Sequence, residues 1–394
     1  MKDKDRIDKI VKALEPELKE LSHKIHDNPE LGLEEYKACA WQVELIKKHG
    51  FEVEENYCGM PTAYRAVYKG KKPGPKIAFM SEYDALPEIG HACGHNLICM
   101  IGVGSGLGLK EFADEYGGEI YIFGTPAEES YGGKLPMIEA GAFDDMDAAL
   151  EVHPACVHTD AWSSSALDGI YIEFFGRASH AAISPEGGIN ALDAMILLFN
   201  AVGLMRQQTK DDIRIHGVIH EGGVAPGIIP EYTKAEFWAR ANRARDVEKT
   251  LERLEAAAEG AAKATGCQVK CTRQGGGYKD TVSNQVLSKR AAGYVEEQGY
   301  KLKWFNGAHA PGASDLGDVS YVCPSIQLMC KIGDSPDGTE FGLHTRYLEE
   351  RAGTDEAMDT ALDYVKAYIA TGIDLMTEPE FLAAIKEEFS HVND

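Results

Sequence analysis

The stretch Pro75–Asn96, PKIAFMSEYDALPEIGHACGHN, starts as a short strand, runs through the carboxylates of Ser81–Glu88 and closes on His91, Cys93 and His95 at alternate positions. A long helix follows from about Asn96 to Tyr116, and then the strands EIYIFGTP (119–126) and AALEVHP (148–154). Strands alternating with helices imply a mostly parallel sheet wrapped by helices. In such sheets chemistry collects in the loops at the C-terminal ends of the strands. EYDALP (82–87), TPAEES (125–130) and EVHPA (151–155) each follow a predicted strand, so one edge of one sheet carries all three.

Upstream, helical spacing of apolar residues in DRIDKIVKALEPELKELSHKIH (5–26) and LEEYKACAWQVELIKKHG (33–50) predicts two helices, with DNPELG (27–32) as the turn between them. GMPTAYRAVY (59–68) reads as a further strand. Near Asp168 the pattern changes. The strand IYIEFFG (170–176), the helix 188–208, the strands 212–220 and 231–241, the helix 246–266 and the strand CQVKCTR (267–273) spell β-α-β-β-α-β. That order is the ferredoxin-like unit, helices laid on one antiparallel sheet. The expected organisation is an α/β catalytic domain in two pieces, 1–167 and 275–394, with an inserted α+β lid or dimerisation domain at 168–274. RQGGGYKDT (273–281) is a hinge candidate, after which helices and the strand PSIQLMCKI (324–332) resume the first pattern.

Composition narrows the functional classes. The 394 residues are 44% hydrophobic and carry 40 Lys plus Arg against 63 Asp plus Glu, a formal charge of −23. Such a chain repels phosphate backbones and anionic membranes, which argues against nucleic acid or a membrane as partner. No window approaches the roughly 20 apolar residues of a membrane span, and the charged N-terminus is unlike an export signal. Nine cysteines without regular spacing suit a reducing compartment, so a cytoplasmic location is expected. Cys267 and Cys271 could mimic half a zinc ribbon, but no second pair answers them and the alternation reads as a strand.

Histidine nitrogen and cysteine sulfur are donors that zinc and related ions prefer, with carboxylates completing the shell. Cys93 and His95 are close enough in sequence for one site. Glu128 and Glu129 are adjacent carboxylates, suited to a division in which one binds metal and the other moves protons. His153 follows the next strand, its exit stiffened by Pro154, and His344 in GLHTRYLEE (342–350) stands just before the last helix. One histidine after a strand is more often a satisfied structural residue. Four such places at strand ends or helix starts shift the balance to a metal centre. Two rival chemistries lack their motifs: Gly102, Gly104, Gly106 and Gly108 miss the G-x-G-x-x-G spacing and lie within a helix, and Ser105 has no G-x-S-x-G elbow. Small residues there instead permit close packing of helix on sheet.

In combination SEYDALPEIGHACGHN (81–96), TPAEES, EVHP, GRASHAAISPEGGINALDA (176–194) and GLHTRYLEE resemble the amidohydrolase branch of the aminoacylase and carboxypeptidase G type metallopeptidases, which includes hippurate hydrolases and auxin-conjugate amidohydrolases. GDVS (317–320) and Asn96 make the chain most similar to the p-aminobenzoyl-glutamate hydrolase group within it. The resemblance runs over nearly the whole chain. It implies that Cys93, His95, Glu129, His153 and His344 bind one or two divalent metals, zinc or manganese, with the Cys93 thiolate shared, and that Glu128 is the general base. It implies supporting places for His91 and Asp84, and a homodimer across which His180 steadies the oxyanion, with His220 as a weaker competitor. The implied reaction is cleavage, by metal-activated water, of the amide bond of an N-acyl or aminobenzoyl amino acid or small dipeptide. A dipeptidase acting on free-amine dipeptides and a metal-binding homologue without catalysis are the alternatives. GGVAPGIIPE (222–231) departs from the branch's pattern by placing Gly227 where an Asn helps hold the substrate carboxylate, so an acidic substrate end is held differently or is missing.

Overall fold

Ile7, Val11, Leu14, Leu18, Leu21 and Ile25 recur at helical spacing and are buried along one face of α1 (Lys4–His26) in this computed structural model, which describes residues 1–392 apart from 276, 311, 337 and 340. The chain continues through α2 (Tyr36–Lys48), β1 (Glu52–Glu55), β2 (Tyr64–Lys69), β3 (Lys76–Ser81), α3 (His95–Tyr116), β4 (Glu119–Gly124), α4 (Lys134–Glu139) and β5 (Ala148–Ala155). A second series follows: β6 (Ala166–Phe175), α5 (Ala191–Met205), β7 (Arg214–Glu221), β8 (Tyr232–Ala241), α6 (Ala244–Thr265) and β9 (Gln268–Arg273). The chain ends with α7 (Gln285–Glu297), α8 (Leu316–Val319), β10 (Ser325–Lys331), α9 (Arg346–Ala352), α10 (Asp355–Thr377) and α11 (Pro379–Phe389). Two compact units result. One comprises Met1–Ser163, Thr281–Ala310 and the chain from Ser314 onward; the other comprises Ser164–Asp280 with Gly312 and Ala313.

The first unit is built on a sheet of order β1-β2-β4-β3-β5-β10. β4, β3, β5 and β10 are parallel neighbours, whereas β1 and β2 are antiparallel at one edge. Ile77–Met80 of β3 and Ala148–Ala155 of β5 are buried throughout, as strands covered on both faces must be. The glycines of α3 explain how a helix comes so close to that sheet. A Cβ on Gly102 would stand 2.3 Å from the Met80 carbonyl oxygen, and one on Gly106 would stand 2.4 Å from Ile122 of β4. On the other side, Gly104 abuts Leu18 of α1 and Gly108 abuts Ile369 of α10. The second unit is an antiparallel sheet of order β7-β8-β6-β9. α5 and α6 cover one face, burying Ile170, Phe174, Leu198, Phe237, Leu251 and Leu254. Asn190 caps α5 by accepting from the Leu192 N–H.

Three details differ from expectation. Residues 59–63 precede β2 instead of belonging to it, because Met60 and Ala63 are held in turns by Tyr57 and Met60 carbonyls. The edge strand β1, with three of its four residues exposed, carries too few apolar residues to show as a strand in sequence. His344 precedes not the last helix but α9, with α10 and α11 beyond it. The hinge candidate 273–281 includes residue 276, outside the described residues, and Cys271 lies on β9. Among the described residues no helix is long and apolar enough to cross a membrane.

Because backbone cannot yield as a side chain can, Gly102→Ala is expected to destabilise the protein by about 1–3 kcal/mol in urea titration. Gly260→Ala on the exposed side of α6, where a Cβ meets nothing within 4 Å, is expected to add about 0.5–1 kcal/mol. Equal effects of the two would contradict the packing role of the α3 glycines.

Candidate metal centre

The register of β3, β4 and β5 sends three loops to one edge of the sheet. From the first, Asp84 places Oδ1 2.9 Å from His95 Nδ1 and accepts from the Glu129 N–H at 3.0 Å through Oδ2. One buried carboxylate thus orients a ring and anchors the neighbouring loop. With Nδ1 engaged by Asp84, His95 turns Nε2 towards Glu82 and Glu129. His153 is oriented likewise, its Nδ1–H donating to the Pro154 carbonyl at 2.7 Å while Nε2 lies 3.3 Å from Cys93 Sγ. His344 sits in the left-handed region at φ 58°, its N–H bonded to the Ala92 carbonyl. Its Nε2 stands 3.2 Å from Glu129 Oε1.

Three overlapping groups could hold a metal ion, each with donor atoms within 4.8 Å of one another: Cys93, His95 and His153; Cys93, Glu129 and His344; Glu82, His95 and Glu128. The donors fit such an ion. His95 Nε2 and Glu82 Oε2 are buried 3.4 Å apart, yet neither makes a hydrogen bond among the described residues. Two acceptors set face to face call for a proton or a cation between them. Burial opposes protonation of His95, but Asp84 and Cys93 outweigh it and hold the imidazole's pKa well above its ordinary value. Burial pushes the Cys93 thiol well up, against the pull of His95, so a thiolate here needs a cation beside it.

The adjacent glutamates have opposite electrostatics. Burial, followed by the charges of Glu82, Asp315 and Glu129, pushes Glu128 well above the usual carboxylate range. Burial also presses on Glu129, but the contact with His344 and the charges of His95 and His344 bring it down to about 2.

Other expected residues lie elsewhere. His91 is buried and its Nε2–H donates to the Ile25 carbonyl at 3.1 Å, which ties the loop to α1; Asp84 is already committed to His95 and Glu129. His180 and His220 belong to the second unit. His180 is exposed and its Nδ1 accepts from the Ala182 and Ile183 N–H groups, whereas His220 on β7 pairs with Glu236 at 2.8 Å.

Behind the ligand candidates lies a group that sequence reading passed over. Lys134, fully buried, bonds Glu82 and holds Asp315 at 2.5 Å, with Glu151 Oε2 at 3.7 Å. Burial and the Glu82 charge push Glu151 to about 8, with Gln327 donating to it at 2.6 Å. Lys134 could have been noticed as a lysine inside the otherwise uncharged run GGKLPMI, and Glu82 as a carboxylate two positions before Asp84 at a strand end. Nothing local marks Asp315 or Gln327.

Residues 164–266 match the model of the M20 peptidase dimerisation domain. The chain is 35% identical to the Xaa-Arg dipeptidase of Mus musculus over 98% of its own length and 90% of that protein. It is 31% identical to one of the subunits of p-aminobenzoyl-glutamate hydrolase from Escherichia coli strain K12, over 67% and 59% of the two chains. In fold it is similar to a dinuclear metal binding peptidase of the M20 family from Bacillus subtilis, with a TM-score of 0.67, 19% identity and coverage of 91% and 98%. The chain therefore belongs to the M20 family of metallopeptidases and amidohydrolases, hydrolases of C–N amide bonds.

Proposed function

We propose that this chain cleaves the amide bond of an N-acyl or aminobenzoyl amino acid or of a small dipeptide, with Glu128 as general base and Cys93, His95, Glu129, His153 and His344 as ligands of one or two zinc or manganese ions. The observation that carries the reading is geometric: Cys93 shares one candidate donor group with His95 and His153 and another with Glu129 and His344, His95 Nε2 is buried without a hydrogen-bond partner among the described residues, and Glu128 stands next to Glu129 on the same loop. A bound divalent ion supplies Lewis acidity, lowering the pKa of water and polarising the amide carbonyl. Glu128 takes the proton from the attacking water and returns it to the leaving amine. Glu129 remains ionised throughout, and Asp84 keeps His95 in its ligating orientation. His180 is assigned to the oxyanion, acting from a second copy of the chain; with Nδ1 accepting from backbone, its Nε2 is the donor.

Similarity to the Xaa-Arg dipeptidase over nearly the whole chain favours a second reading, a dipeptide with a free amine. Gly227, around which a Cβ would meet nothing within 4 Å, leaves no side chain to hold an acidic substrate end.

The unit Ser164–Asp280 is proposed to form a homodimer. β7 is an unpaired sheet edge with Val218 52% exposed, and α5, on the face of that sheet, exposes Ile196, Leu197 and Leu204, the last at 76%. Nine free cysteines support a reducing, cytoplasmic setting.

Glu128→Gln is expected to keep its metal, counted by plasma mass spectrometry, and to lose about 10²–10⁴ in kcat on a panel of N-acyl amino acids, aminobenzoyl amino acids and dipeptides. Turnover in that variant equal to wild type, or none by wild type on any amide, would reject the mechanism. Cys93→Ser and His153→Ala should each lose most bound metal and activity, as should wild type after chelation, with return on adding zinc or manganese. Faster cleavage of free dipeptides than of their N-acylated analogues selects the second reading. The double variant Val218→Glu, Leu204→Glu should sediment as a monomer; if it sediments as wild type does, that interface is wrong.

A further inference from the structure

Of the segment Asn28–Glu35, NPELGLEE, residues 28–32 read in sequence as a turn and 33–35 as the start of a helix, yet it braces two of the loops that carry the centre. The Glu30 carbonyl accepts from the Ala85 N–H at 2.8 Å, next to Asp84. The Glu30 carboxylate caps α2 through the Lys37 and Ala38 N–H groups, which keeps the segment in place. Gly32 lies so close to the other loop that a Cβ would stand 2.8 Å from Ala127 Cβ and 2.4 Å from Ser130 Oγ. Glu35, without exposure, accepts from the Ala127 N–H at 2.8 Å through one oxygen and from the Thr62 hydroxyl at 2.8 Å through the other.

Ala127 is no ordinary loop residue. Its φ is 60°, in the left-handed region, which costs a residue bearing a Cβ about 1–2 kcal/mol. Its carbonyl accepts from the Ser130, Tyr131 and Gly132 N–H groups, so both of its peptide links are tied down. Glu128 and Glu129 follow immediately, and the direction in which they leave the chain is set by that backbone. A right-handed Ala127 would turn Glu128 away from its present place, and nothing but Glu35 accepts from the Ala127 N–H among the described residues.

We propose that Glu35 is a positioning residue for catalysis: by holding the Ala127 peptide in its left-handed conformation from outside the loop, it aims Glu128. The inference rests on the reading of Glu128 as general base for its catalytic consequence, but not for its structural one. Burial first, opposed by these hydrogen bonds, raises Glu35 to about 7. An acceptor oxygen, not a full negative charge, is what Ala127 requires, and a glutamine amide can supply it.

The test separates the two claims. Hydrogen exchange by mass spectrometry of peptides spanning 125–132 reads the loop itself and needs no substrate. Glu35→Ala should speed exchange there by about 5- to 10-fold, the loss of one hydrogen bond, while Glu35→Gln should leave it near wild type. In turnover, Glu35→Ala should lose about 100-fold in kcat with little change in KM or in metal content, as expected of a misaimed base, and Glu35→Gln should recover most of it. Adding Ala127→Gly to Glu35→Ala, which lowers the cost of the left-handed backbone, should restore part of the lost kcat. Glu35→Asp, which withdraws the acceptor by one methylene, should fall between Ala and Gln and serves if the alanine variant does not fold. Unchanged exchange in Glu35→Ala or Glu35→Asp would overturn the inference, as would a glutamine variant as impaired as alanine. Altered exchange with wild-type activity in Glu128→Gln would instead overturn the reading of Glu128 and leave the role of Glu35 in the loop intact.

Discussion

Too many carboxyl groups meet in too little water at the C-terminal edge of the β4-β3-β5 strands. Glu82, Asp84, Glu128, Glu151 and Asp315 are buried there with Glu129 nearly so, and Lys134 is the lysine set among them. Unpaired charges are costly in such surroundings, so the rest of the site can be understood as the ways this surplus is relieved. Lys134 pairs with both Glu82 and Asp315, burial raises Glu151 to about 8, and Asp84 accepts from an imidazole and a backbone amide. Beside them the donor atoms of Cys93, His95, Glu129, His153 and His344 converge in groups that could hold a cation.

The same surplus distinguishes the two glutamates. Glu128 faces other carboxylates and Glu129 faces histidines, so one is pushed towards its protonated form and the other is held ionised. A single residue of offset along the chain decides which neighbours each meets. That offset depends on the backbone at Ala127, held between Glu35 on one side and the turn that follows on the other. Chemistry at the edge thus depends on a segment of the chain about 90 residues away that carries no ligand of its own.

Much of this was legible beforehand. The alternation of strands and helices around 75–155 predicts a parallel sheet whose loops share an edge, and the β-α-β-β-α-β order of 170–273 predicts a separate antiparallel sheet with two helices. Both patterns are local, a matter of periodicity and turn residues, and need no knowledge of what packs on what. Small residues in α3 likewise announced close contact, though not that Gly102 and Gly106 meet the sheet while Gly104 and Gly108 meet α1 and α10. Edge strand β1 was illegible because an exposed edge places little demand on its side chains.

The sequence by itself determined the class of fold and the cast of candidate donors, since spacing within one loop or beside one strand is set by the chain. Cys93 and His95, or Glu128 and Glu129, can be paired by counting. Only the tertiary structure decided who answers whom across the sheet: Lys134 with Asp315, 181 residues apart, Cys93 with His153, 60 apart, and Glu35 with Ala127, 92 apart. Such contacts arise from strand order and burial, which bring together groups with no local pattern in common. Charge neutrality in a buried volume is a property of all its members at once, and no window of sequence contains them.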